Sequence, residues 1–209
     1  MSGAARVVLA TRNAHKVVEL REILADLVAG TGIDLDTAVV GIADVSDAPD
    51  VVESGVTFAE NSLLKARAAC AATGLPALAD DSGLAVDVLG GSPGVFSARW
   101  SGGGGDTANL QLLLTQLADV PDEHRAASFV CAASLVTPGG DEHVEHGRLS
   151  GTLERAPRGS GGFGYDPILR VDEHRTLAEL SAAEKNAISH RGQALRALAP
   201  HVVALLTAG

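Results

Sequence analysis

Apolar residues are grouped along the chain in a way that predicts alternating strands and helices. Val7 to Ala10 is a short apolar run that predicts a buried strand, and Val17, Leu20, Leu24 and Leu27 then recur at helical spacing until Gly30 and Gly32 interrupt the pattern. A second apolar run from Ala38 to Val45 predicts another strand. The Ala-rich stretch from Thr57 to Thr73, with Gly74 at its end, predicts a helix. In the segment LADDSGLAV, Leu78 to Val86, two adjacent carboxylates end an apolar run. Asp is unfavourable inside strands and helices alike, so Ser82 and Gly83 are expected to form a turn that exposes Asp80 and Asp81.

Further along, Asp106 is expected to cap a helix carrying Leu110, Leu113, Leu114 and Leu117, after a mobile rim loop at Gly102 to Gly105. Ser128 to Val136 and His143 to Leu153, joined through Pro138, Gly139 and Gly140, predict a β-hairpin. Thr176 with Glu179 and Ser181 with Glu184 have capping-box spacing, and a Leu-rich helix follows to about Leu206. Together these elements predict an α/β fold with a mixed sheet, formed by residues 1–209 as one unit without repeats or low-complexity linkers.

Composition narrows the function classes. The 46% hydrophobic content can build a sizeable core, whereas only 3% of residues are aromatic, so Phe163 and Tyr165 stand out as candidate faces for a base. A net charge of -10 opposes binding to nucleic acid or to an anionic membrane, but leaves a small anionic substrate open through local lysines. Cys70 and Cys131 lie in apolar surroundings without CxxC spacing, which predicts buried free thiols and a reducing compartment. The opening MSGAARVVLAT is too short an apolar run for a signal peptide, and no stretch approaches the roughly 18 apolar residues of a membrane span. The expectation is a soluble intracellular protein.

Four segments carry candidate chemistry. TRNAHK, Thr11 to Lys16, lies between the first strand and the first helix, where backbone N–H groups meet anions; it also reads as an ordinary capped helix start. In ESGVTFAENSLLKA, Asn61 and Lys65 share a helical face, with Glu53 in the preceding loop; alone this also reads as a solvated helix, and Asp80–Asp81 as a solvated acidic loop, but Glu53, Asp80 and Asp81 together suit a hard-oxygen Mg²⁺ site. GSGGFGYDP matches G-x-G-x-x-G in form, but Asp166 and Pro167 stand where a dinucleotide-binding helix would begin. It reads instead either as a glycine loop presenting Phe163 and Tyr165 or, equally, as a tight loop with one buried aromatic. EKNAISHRGQA concentrates Lys185, Ser189, His190 and Arg191 at a helix end or junction, either as phosphate and base donors or as C-terminal capping groups.

Taken in order, TRNAHK, E-x-G-x-T-F-x-x-N-x-x-x-K, DDSGL, SPGVFSAR, GGFGYDP and EKNAISHR resemble the inosine triphosphate pyrophosphatase family over almost the whole chain. The resemblance implies an elongated mixed sheet flanked by helices, two lobes around a central nucleotide-binding cleft, and a cytoplasmic homodimer. It implies Mg²⁺-dependent hydrolysis of ITP, dITP and XTP to monophosphate and pyrophosphate. By the same resemblance Asp81 is the general base and a metal ligand, joined at the metal by Glu53 and Asp80. Substrate would be held by Thr11, Arg12, Asn13, Ala14, His15, Lys16 and Lys65, and by Ser82, Phe163, Gly164, Tyr165, Asp166, Lys185, His190 and Arg191. The glycine-rich Gly102 to Gly105 run and Trp100, where the family commonly has tyrosine, depart from the pattern. Two other readings compete: a nucleotide-binding module without turnover, and a pyrophosphatase for pyrimidine or modified nucleotides.

Overall fold

The computed structural model describes residues 6–208, so part of the N-terminal segment weighed above as a possible signal peptide lies outside the described residues. The elements are β1 (Val7–Leu9), α1 (Ala14–Ala25), α2 (Leu35–Ala38), β2 (Val39–Gly41), α3 (Ile42–Val45), α4 (Phe58–Thr73), β3 (Ala77–Val86), α5 (Gly105–Gln116), β4 (Ala126–Val136), β5 (Glu142–Leu153), β6 (Leu169–Arg170), α6 (Ala182–Ile188) and α7 (His190–Thr207), with short 3₁₀ turns between some of them. The six strands form one sheet in the order β2-β1-β3-β4-β5-β6. β1 pairs in parallel with β2 and β3, and β5 pairs antiparallel with β6, so the sheet is mixed, as the alternating pattern and the hairpin predict.

The chain divides into two compact units, one formed by residues 1–81, 132–146 and 191–209, the other by 82–131 and 147–190. In the first, Val8, Ile42, Ala66, Ala69, Ala77 and Val136 are part of a core of small and β-branched side chains. Leu84, Leu110, Leu113, Phe129, Leu153, Ile168 and Leu169 belong to the core of the second. Both cysteines are buried and neither is in a disulfide, as expected.

Local signals explain most helix ends. Thr57 accepts from the Glu60 N–H at 3.1 Å while Glu60 accepts from the Thr57 N–H at 3.2 Å, and Gly74 ends α4 in the left-handed region at φ 68°. Ser181 and Glu184 form their capping box as predicted, whereas at Thr176 only half of it forms, the Glu179 carboxylate accepting from the Thr176 N–H at 2.9 Å.

Four expectations need correction. The Ala38 to Val45 run is strand only to Gly41; the Asp44 carboxylate then accepts from the Gly41 N–H at 2.9 Å and turns the chain into α3. Asp106 lies inside the first turn of α5, whose N-cap is Gly104. Leu27 falls beyond α1 and is half exposed, while Val28 takes the buried place. DDSG is not a turn: β3 runs unbroken through it, because the side chains of consecutive strand residues point to opposite faces and each carboxylate meets its own cation.

Candidate active site

In the first unit, α1 begins with Asn13, whose side chain accepts from the His15 N–H at 3.0 Å, while Thr11 Oγ1 accepts from the Asn13 N–H at 3.1 Å. This double cap fixes the start of the helix and with it Lys16. Arg12 turns aside to Asp50 and the Ala48 carbonyl, tethering the loop that leads to Glu53. Ala14 and His15 stand exposed at the helix entrance.

Lys16 Nζ donates to both oxygens of Asp80, at 3.0 and 2.9 Å, and Arg191 Nε donates to Asp80 Oδ2 at 3.1 Å. Burial alone would raise the Asp80 pKa, but Lys16 and Arg191 outweigh it and hold the carboxyl far below the ordinary range. Asp80 is therefore a fixed anion gripping two cations. Glu19, three residues after Lys16 on α1, lies 3.9 Å from Arg191; burial pushes its carboxyl up, with Arg191 opposing. The i,i+3 spacing from Lys16 was the sequence signal for Glu19, but it was not read as part of a site.

One residue along β3, Asp81 faces a second group. Asn61 Nδ2 donates to Asp81 Oδ2 at 3.1 Å, and Lys65 Nζ lies 3.5 Å from Asp81 Oδ1 and 2.7 Å from Glu53 Oε1. The shared face of Asn61 and Lys65 is thus as predicted, while the Asn61 contact to Asp81 is new. Burial pushes the Asp81 carboxyl up, the nearby Glu53 charge adds to that, and Lys65 and Asn61 only partly offset it. Burial opposes the charge on Lys65, yet Glu53 and Asp81 hold its pKa above the ordinary value. Glu53 and Lys65 border a cavity of ≈ 230 Å³ whose other walls include Ala10, Ile42, Pro49, Val51 and Ala69.

Glu53 and Asp81 converge on one cation position, at present filled by an ammonium, and hard carboxylate oxygens in that arrangement fit Mg²⁺. Among the described residues no three His, Cys, Asp or Glu side chains close on a metal. Mg²⁺ commonly takes one or two carboxylates and completes its shell from phosphate and water, so two protein ligands suffice.

In the second unit, Ser82 is half-buried on β3. The Phe163 N–H donates to Asp166 at 2.8 Å, and Lys185 forms an ion pair with the same carboxylate while its ammonium lies 4.9 Å from the centre of the Phe163 ring. Phe163 is 68% exposed and Gly164 follows it at φ 61°. Tyr165 is the one buried aromatic of the tight-loop reading: it is 4% exposed and its hydroxyl donates to the Ser97 carbonyl at 2.9 Å. His190 stacks on Phe129 with ring centroids 5.0 Å apart, a contact that periodicity alone did not reveal. Of the site residues expected from sequence, the first unit brings together Lys16, Glu53, Lys65, Asp80, Asp81 and Arg191; the second brings together Phe163, Gly164, Asp166 and Lys185.

An α/β chain that sets two carboxylates around a cation position, beside a Lys-Asp-Arg array, is organised to handle a polyanion. The chain belongs to the Ham1 family, whose model matches residues 7–201. A Streptomyces coelicolor protein named dITP/XTP pyrophosphatase is 63% identical over 203 residues, covering 96% of this chain and 98% of that protein. The Mycobacterium tuberculosis protein of the same name is 51% identical over 209 residues, covering 99% and 100%. Among solved structures, a HAM1 protein from Coxiella burnetii has a TM-score of 0.85 at 43% identity, covering 95% of this chain and 98% of that one. No helix among the described residues is long and apolar enough to cross a membrane.

Proposed function

We propose that this protein is a Mg²⁺-dependent pyrophosphohydrolase that converts ITP, dITP and XTP to the monophosphate and pyrophosphate, clearing deaminated purines from the nucleotide pool. The observation that carries the reading is the convergence of Glu53 and Asp81 on one cation position, with Asn61 orienting Asp81. The names of its relatives point to two of these substrates, dITP and XTP.

Asp81 is assigned the base: Asn61 holds its carboxylate beside the cation position, where it can take a proton from water. Glu53 and Asp81 would hold the metal, and Mg²⁺ there would neutralise charge on the phosphate oxygens. Lys65, Lys16 and the N–H groups at the start of α1 hold phosphate oxygens, with Thr11 and Asn13 fixing that helix end. Asp80, whose oxygens are engaged by Lys16 and Arg191, serves to aim those two cations. Attack by water at the α-phosphorus, with pyrophosphate leaving, requires no covalent intermediate.

The exposed Phe163 ring offers a stacking face to the base, with Lys185 beside it. His190 and Arg191 supply donors for O6, which hypoxanthine and xanthine carry as an acceptor where adenine carries a donor. An unmatched buried polar group costs roughly 1–3 kcal/mol, enough to reject ATP by about tenfold or more. The working form is taken to be a cytoplasmic homodimer, to be checked by light scattering. The decisive experiment is incubation with ITP, XTP, GTP and ATP, with and without Mg²⁺, followed by chromatography. IMP plus pyrophosphate from ITP is expected, with ATP and GTP spared; IDP plus phosphate, or no turnover, overturns the reading.

A further inference from the structure

The loop carrying Phe163 is held from two sides by carboxylates acting on consecutive amides. The Phe163 N–H donates to Asp166 Oδ2 at 2.8 Å, and the next N–H, that of Gly164, donates to Asp106 Oδ2 at 3.0 Å. Asp166 is local, three residues on. Asp106 is distant in sequence and sits in the first turn of α5, directly after the Gly102 to Gly105 run.

The two contacts do different work. Asp166 also pairs with Lys185, so it ties the loop to α6 and keeps the ammonium near the ring. Asp106 ties the same loop to α5, which is anchored in the core through Leu110 and Leu113. Gly164 has φ 61° and the Phe163 ring itself is 68% exposed, so core packing leaves the ring's position largely to these backbone contacts. The Asp106 charge is also felt next door: burial and then Asp106 push the Tyr165 phenol up to about 12.

We infer that Asp106 is a positioning residue for base recognition, fixing Gly164 so that Phe163 stands at the height a purine ring requires. This rests on the reading of the protein as a purine nucleotide pyrophosphatase. It explains why an exposed aspartate at the start of α5 reaches out to a glycine loop rather than only favouring its own helix end.

The test is steady-state hydrolysis of ITP by wild type, Asp106→Ala and Asp106→Asn, with inhibition by inorganic triphosphate, which has no base, measured on each. Because Asp106 is exposed and outside the core, both variants keep their packing. Asp106→Ala should raise KM for ITP about fivefold to tenfold, the worth of one ordinary exposed hydrogen bond, with kcat within about twofold. Asp106→Asn keeps an acceptor oxygen for the Gly164 N–H and should recover most of that loss. The inhibition constant of triphosphate should be unchanged in both. An unchanged KM for ITP, an equal weakening of triphosphate, or an Asn variant no better than Ala overturns the inference while the wild type remains active. A wild type that releases no monophosphate from ITP overturns the functional reading first.

Discussion

Lys65 Nζ lies 2.7 Å from Glu53 Oε1, so the ammonium stands where a divalent cation held by Glu53 and Asp81 would stand. Two carboxylates this close need a counter-charge, and Lys65 supplies it until another cation arrives. A metal held by Glu53 and Asp81 would compete with Lys65 and leave its ammonium available to phosphate. Unit charges about 4 Å apart near a protein surface interact by about 4 kcal/mol before solvent discounts it, so the competition is measurable. Lys65→Met should therefore bind Mn²⁺ about tenfold more tightly than wild type without nucleotide, read by electron paramagnetic resonance, while hydrolysing ITP more slowly. Equal or weaker Mn²⁺ binding would show that Lys65 does not occupy the cation position.

Asp81→Asn keeps the shape of the side chain and an acceptor for Asn61, so circular dichroism and melting temperature should change little. Loss of the base should lower kcat by about 10² to 10⁴-fold. A variant with near-normal kcat would remove Asp81 from the base role.

The parts of the fold that could be read from sequence were those specified by neighbours. Thr57 with Glu60 and Gly74 define α4 within one segment, and Pro138, Gly139 and Gly140 set the turn between β4 and β5. The Asp80–Asp81 pair was misread as a turn because its stabilising partners are remote: Lys16 is 64 residues away and Arg191 111. Propensity sees two poor strand formers, and only the folded chain brings in the cations that make them acceptable there. The same holds for the site. Its residue types follow from the motifs, but that Asp80 grips cations while Asp81 faces Asn61 depends on which face of β3 each occupies. Sequence leaves open which of Phe163 and Tyr165 the glycine loop buries, and only the folded chain supplies the Ser97 carbonyl that draws Tyr165 into the core.

Asp80→Asn should cost stability, since it removes the charge facing Lys16 and Arg191, whose side chains are 25% and 18% exposed. Breaking a buried pair typically costs 3–5 kcal/mol, and partial exposure of these cations brings the expectation to about 3 kcal/mol at pH 7. The sign of the pH dependence follows from the lowered folded pKa. The stabilisation from Asp80 is fully present above the unfolded value near 4 and is lost as pH falls from there toward the folded value. The gap between wild type and variant in urea unfolding should hold from pH 7 to about 5 and narrow below about 4. A gap that stays constant to pH 3 would mean that the carboxylate's charge is not the source of the stabilisation.

Gly162→Ala tests the Phe163 loop from within. Gly162 has φ 74°, where a side chain is strained by about 1–2 kcal/mol, and an added Cβ would overlap the Asp166 carboxylate. Asp166 must then move, and it carries both the Phe163 N–H and the Lys185 ammonium. The variant should lose about 2 kcal/mol or more of stability, and its KM for ITP should rise while its affinity for inorganic triphosphate is kept. Both effects trace to one atom: strain lowers the denaturation midpoint, and the displaced carboxylate loosens the ring that faces the base. A melting temperature lowered with KM for ITP unchanged would separate the two and show that the Asp166 clamp serves the fold alone.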